Sequence, residues 1–303
     1  MKKIILLSAS AILLFTACQK DAANNETELS VQQEAVTNSD DQTRLQVDDD
    51  VFSDDAARAA DSYPEFSVGT MDSSDDSTLI PGGVVERRHM RNARRFIIHY
   101  LGRNIDGIIK KGKVTVELIQ GERWFQKGAV IKQTFDSCII TRGDKSLEFN
   151  GTRFITNVTG GTLHFGLQDS IVHRIRAVGK ITYEDKTVAA WWAARLNTFI
   201  KSKGIMRSNG DSLVNGENCA MGGNSRFTKA FLLKSPVAIT SQRTCGFARP
   251  IEGKRIFVSN NRNVTITYGV DEKGNIINSG CAFGFKVEWT KLDGSTGVTV
   301  RRY

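Results

Sequence analysis

From residue 95 onward, apolar and polar positions alternate with a period of two. Val114, Val116 and Leu118 share one face, with Thr115 and Glu117 on the other. Ile181 and Tyr183 alternate with Thr182 and Glu184, and Val264, Ile266 and Tyr268 with Thr265 and Thr267. Phe285, Val287 and Trp289 repeat the pattern. Alternation of this kind marks strands with one buried and one wetted face, the habit of antiparallel sheets. Gly143-Asp144, Gly160-Gly161, Glu272-Lys273-Gly274-Asn275 and Asp293-Gly294 punctuate the runs with residues that tolerate positive φ. The pattern predicts an all-β domain over residues 81–303, a large antiparallel meander or sandwich-like sheet of roughly ten or more strands.

One segment is ambiguous. Thr187 to Lys201 carries four alanines that favour a helix. Its Val188, Trp191, Trp192, Thr198, Phe199 and Ile200 suit a pleated surface, and the balance favours a strand. Met221-Gly222-Gly223-Asn224-Ser225 reads as a loop and lacks the strand-turn-helix setting of a serine nucleophile.

The N-terminal quarter has another character. Lys2 and Lys3 precede an apolar run from Ile4 to Phe15 and then Thr16-Ala17-Cys18. A dozen apolar residues are too few for a spanning helix of about 20, and the arrangement is that of a secretory signal. With cysteine directly after Ala17 it resembles a bacterial lipoprotein signal, although Phe15 stands where leucine is usual. The resemblance implies cleavage after residue 17, a diacylglyceride on the Cys18 thiol and membrane attachment through lipid. Gln19-Lys20-Asp21 resembles the short signal that sends lipoproteins of the Bacteroidota to the outer face of the outer membrane.

Residues 19 to 80 hold 16 acidic and 3 basic residues, a net of −13. They lack sustained apolar periodicity and include Asp48-Asp49-Asp50. Low hydrophobicity with high like charge predicts a disordered tether over 18–80, with one short helix at Ser53 to Ala60. No calcium-loop motif accompanies the aspartates. Residues 81–303 carry 36 basic and 17 acidic residues, a net of +19, so the whole-chain +8 averages two opposed segments.

The feature order from Ile108 to Tyr303 resembles a family of Bacteroidota lipoproteins of unknown function. The resemblance rests on the strand Lys111 to Val116 (Lys-Gly-Lys-Val-Thr-Val), the Asn-Gly-Thr-Arg of Asn150 to Arg153, a threonine-rich strand and a late cysteine pair. It implies strands throughout, 187–201 included, and carries over no activity and no binding residue.

Four cysteines remain after Cys18, and in an exported chain they suggest disulfides. Cys245 and Cys281 flank a block of hairpin strands and are expected to pair, leaving Cys138 and Cys219 as a second candidate pair. His164 and His173, nine apart on neighbouring strands, can meet across a hairpin but make half a metal site, so no metal or cofactor is expected. Arg142-Gly143-Asp144 matches a cell-adhesion tripeptide and reads as a hairpin turn. Trp191 and Trp192 offer either a sugar-stacking platform or core packing. Asp169-Ser170-Ile171 and Asp211-Ser212-Leu213 resemble O-glycosylation sites of Bacteroidota exported proteins.

The excess positive charge points to an anionic partner. Arg87, Arg88, Arg91, Arg94 and Arg95 form the densest cluster, suited to an acidic polysaccharide or lipopolysaccharide; nucleic acid does not fit an exported chain. The sequence therefore predicts a non-catalytic binding or structural lipoprotein of the outer membrane, facing the cell exterior. A carrier of lipid or lipoprotein is the alternative, and a hydrolase comes third. The acidic segment is further expected to fold back on the basic face.

Overall fold

The structure, a computed structural model, describes residues 27–63, 66, 79–87, 94–164, 167–260 and 262–303. Cys18, Arg88 and Arg91 lie outside the described residues. The all-β reading holds: one antiparallel sheet of 15 strands accounts for residues 83 to 302. Of the two architectures expected, it is the meander.

The first seven strands follow one another as neighbours: β1 (Gly83–Arg87), β2 (Arg95–Ile105), β3 (Ile108–Gln120), β4 (Val130–Arg142), β5 (Lys145–Asn157), β6 (Ser170–Tyr183) and β7 (Val188–Ile200). Thr187 to Lys201 is thus a strand, paired with β6 along its whole length. Next to β7, two short strands share one slot. β8 (Ile205–Gly210) pairs the C-terminal half of β7 and β10 (Glu217–Asn224) the N-terminal half, with β9 (Ser212–Val214) beside β10. β11 (Ala230–Gln242) pairs both, and β12 (Pro250–Ser259), β13 (Arg262–Val270), β14 (Gly284–Thr290) and β15 (Thr296–Arg302) complete the sheet. The expected loop at 221–225 is largely strand β10, because Gly222 leaves room for the Trp192 ring where a Cβ would otherwise sit.

A row of close backbone approaches crosses the middle of the sheet. Gly151 faces Gly179 across β5 and β6, Gly179 faces Trp191, and Trp191 faces Gly223. A Cβ on Gly151 would lie 2.4 Å from the Val178 carbonyl oxygen, so only glycine permits this approach of neighbouring strands. Bends at glycine are how a long sheet is made to curve.

The tether prediction fails over most of its length. Residues Glu28–Ser62 form one helix, α1, opened by a Thr27–Ser30 capping box. At 1.5 Å per residue it is about 52 Å long, close to the roughly 58 Å that thirteen strand positions span at 4.8 Å. It crosses the inner face of the sheet. Thr43 hydrogen-bonds Tyr268 of β13 at 3.1 Å, Asp49 reaches Arg195 of β7 and Arg153 of β5, and Asp55 meets Lys110 of β3 and Tyr100 of β2. Beyond the helix, Tyr63 and Phe66 pack edge-on against Phe96 of β2.

The helix buries a seam at alternating steps of four and three: Val31, Ala35, Asn38, Gln42, Leu45, Asp49, Phe52, Ala56 and Ala59, all buried. Phe52 is the centre of an aromatic cluster with Tyr100, Phe135 and Phe149 at 5.4 to 5.6 Å between centroids. Three seam positions are polar, and this hides the period from an apolar pattern search. The physical reason the segment folds is that the sheet supplies what its carboxylates lack.

Candidate functional site

Two features occupy the interface between α1 and the sheet. The first is a line of ion pairs. The helix carries ten acidic and two basic residues. Glu34, Asp41, Asp48 and Asp55, spaced by sevens, pair with Lys229, Arg226, Arg142 and Lys110 at 2.5, 2.7, 2.8 and 2.5 Å. Asp40 pairs with Arg301 at 2.6 Å, Asp50 with Arg195 at 3.0 Å, and Asp49 with both Arg153 and Arg195. Arg153 also donates to Gln133, to Ser53 and to the Asp49 carbonyl. Seven helix carboxylates thus pair with seven cations of the β domain, five on strands and two, Arg226 and Lys229, in the β10–β11 connection. Burial still pushes Asp41 up to about 6 and raises Asp48, Asp50 and Asp55 against the pull of their partners.

The second is a cavity of about 650 Å³ along the flank of the C-terminal half of α1. Val47, Val51 and Ala57 of the helix form one wall, and Ile155, Ile175, Phe199 and Met206 of β5 to β8 form the other. Its volume lies within the roughly 300–1,000 Å³ range of small-molecule sites. Set into the apolar wall are Trp124, His173 and Asn197, which are 0%, 4% and 2% exposed. Trp124 Nε1, His173 Nε2 and Asn197 Oδ1 have no hydrogen-bond partner in the protein. His173 and Asn197 are register partners on β6 and β7, and the His173 ring lies 5.1 Å from Trp124 and 5.4 Å from Phe199. Enclosure in this aromatic nest pulls His173 down to about 3, so it is neutral.

The rim is polar. His164 Nε2 faces Asp54 Oδ1 at 3.6 Å, and Asp54 also pairs with Arg58 at 3.1 Å. Lys201, after β7, donates to the Thr162 carbonyl. Arg243 enters from the β11–β12 connection, its amide bonded to the Gly204 carbonyl at 2.8 Å. Two residues later, the Cys245–Cys281 disulfide holds the same connection, whose Gly246 and Phe247 close the cavity.

No family model, curated protein or solved structure matches this chain.

Other expectations resolve as follows. The Cys245–Cys281 bond forms, whereas Cys138 and Cys219 are both free and buried. Cys138 lies on β4 and Cys219 on β10, four positions apart in the sheet; at about 4.8 Å each, that is far beyond disulfide reach. His164 and His173 line one cavity, and no metal-binding group of three or more candidate ligands occurs among the described residues. Arg142-Gly143-Asp144 is the β4–β5 turn, with Arg142 committed to Asp48. Trp191 is buried on the inner face, and Trp192 is half-buried on the outer one. Of the basic cluster, Arg87 ends β1, Arg94 donates to the Gly121 carbonyl and Arg95 pairs with Glu117 at 3.6 Å. The cavity residues Trp124, Asn197, Lys201 and Arg243 escape sequence reasoning. The available signal was a charged or polar residue at an inward strand position, as at Arg153, His173 and Arg195.

Proposed function

We propose that this chain is an exported, lipid-anchored envelope protein that binds an amphiphilic small molecule between α1 and the sheet without catalysis. The observation that carries the proposal is the mainly apolar cavity with three buried polar atoms left unpartnered. An unpartnered buried donor or acceptor costs about 1–3 kcal/mol, which a ligand bearing a complementary group relieves. The signal sequence and Cys18 supply the exported, outer-membrane part of the reading. The ion-pair line turns it away from an anionic glycan, because much of the positive excess is already matched by the acidic helix. A hydrolytic role gains no support either. Ser53, the hydroxyl residue lining the cavity among the described residues, donates to the Asp49 carbonyl and accepts from Arg153.

The test is native mass spectrometry of the full-length Cys18→Ala chain, purified without detergent, followed by titration with a fluorescent acyl probe. One small molecule per chain, or saturable uptake of one probe, is expected. A chain that carries no adduct and takes up no probe overturns the proposal.

A further inference from the structure

The wall of the cavity is not built uniformly. Much of it is strand or helix, but Arg243, Gly246, Phe247 and Ala248 belong to the connection between β11 and β12. None of residues 243–249 is buried, and Phe247 is 39% exposed although it lines the cavity. Among the described residues, a single hydrogen bond leaves this connection, from the Arg243 amide to the Gly204 carbonyl at 2.8 Å. Its other two, from the Gly246 amide to Arg243 and from the Arg249 amide to Gly246, close turns within it. Few buried contacts and few outside bonds are the properties of a segment that opens locally while the sheet stays folded.

The second tie on this segment is covalent, the Cys245–Cys281 bond. Cys281 sits on a firmer support, the connection between β13 and β14. There the Ile277 amide donates to the Gly269 carbonyl at 2.9 Å and the Phe283 amide to the Val270 carbonyl at 3.0 Å. The Asp271 carboxylate accepts from the Lys273 and Asn275 amides of the same connection. The disulfide therefore fastens a loosely held part of the cavity wall to a fixed post. Cys281 is exposed, so a soluble thiol has access to the bond. It is the one disulfide among the described residues, and a reductant acts on it alone.

We infer that residues 243–249 are a lid on the cavity and that the Cys245–Cys281 disulfide is its redox latch, opened by a dithiol reductant. This rests on the proposed binding function, and the test keeps the two apart. One thiolate of the dithiol attacks Sγ of Cys281, the S–S bond breaks, and Cys245 leaves as a thiolate that takes up a proton. The second thiolate then displaces Cys281, which takes up the other proton, and the dithiol departs as its own disulfide, oxidised by two electrons. The lid keeps only its Arg243 bond, Phe247 leaves the wall, and the ligand exchanges faster.

The full-length Cys18→Ala chain is loaded with a fluorescent acyl probe, and release into excess phosphatidylcholine vesicles is timed with and without dithiothreitol. Reduction should speed release about tenfold, the value of packing one phenylalanine side chain, and reoxidation should restore the slow rate. Cys281→Ser should release at the fast rate and ignore dithiothreitol, and Phe247→Ala should be fast in both redox states. Amide protection of β5, β6 and β7 should survive reduction. Equal release from the oxidised and reduced chains, or loss of that protection on reduction, overturns the latch and leaves the binding function standing. Failure of the probe to bind the oxidised chain overturns the binding function and the latch with it.

Discussion

At the residue scale, the most consequential side chain is Asp49, because two buried arginines depend on it. Asp49→Asn leaves Arg153 and part of Arg195 as uncompensated buried charge, and breaking such a pair costs about 3–5 kcal/mol. The half-exposed Asp40–Arg301 pair is the natural comparison, since exposed pairs contribute about 0–1 kcal/mol. Urea unfolding of Asp49→Asn and Asp40→Asn should show that contrast; similar small losses would mean that the buried pairs are not structural. His173 gives a pH prediction. Its proton affinity is depressed in the fold, so the unfolded chain binds the extra proton, and stability is present above about pH 6.5 and falls toward pH 3. Asp61, raised to about 7, acts with the opposite sign: its contribution shrinks as pH rises from about 4 to 7. His173→Phe should therefore lose less stability than the parent between pH 6.5 and 4, by at most about 1.4 kcal/mol per pH unit. Parallel pH profiles for the two chains would refute that assignment.

At the element scale, the strands were legible, and of the helix only its Ser53 to Ala60 stretch was. Strands such as β3, β13 and β14 bury one face and wet the other, so their apolar period of two is written plainly. The seam of α1 carries Asn38, Gln42 and Asp49 among its apolar positions, and its regular signal is acidic, at Glu34, Asp41, Asp48 and Asp55. Composition alone describes such a segment as solvated, because the cations that pair with it lie as far as 195 residues away in sequence, at Lys229 for Glu34. The cavity was invisible for the same reason: its walls come from both elements. The helix should behave as core. Phe52→Ala removes the centre of the aromatic cluster and is expected to cost about 3–5 kcal/mol in urea unfolding. A loss below about 1 kcal/mol would be the signature of a loosely docked helix.

At the scale of the whole molecule, the two opposed charge blocks are one construction. The basic sheet curves over an acidic helix of matching length, and a disulfide fastens the connection that closes the cavity between them. The acidic segment lies on the basic domain, as expected, but as a buried helix and not as a tether on its surface. The charge is spent inside the fold, which moves the functional reading from a polyanion on the outside to an amphiphile on the inside. Everything in that reading depends on α1 being seated, since the helix is one wall of the cavity. Amide hydrogen exchange measured across residues 28–62 tests this most directly. A seated helix should exchange as slowly as β5, β6 and β7, through global unfolding alone. Exchange of the central turns around Leu45 to Phe52 within seconds at neutral pH would mean that the segment is a tether after all.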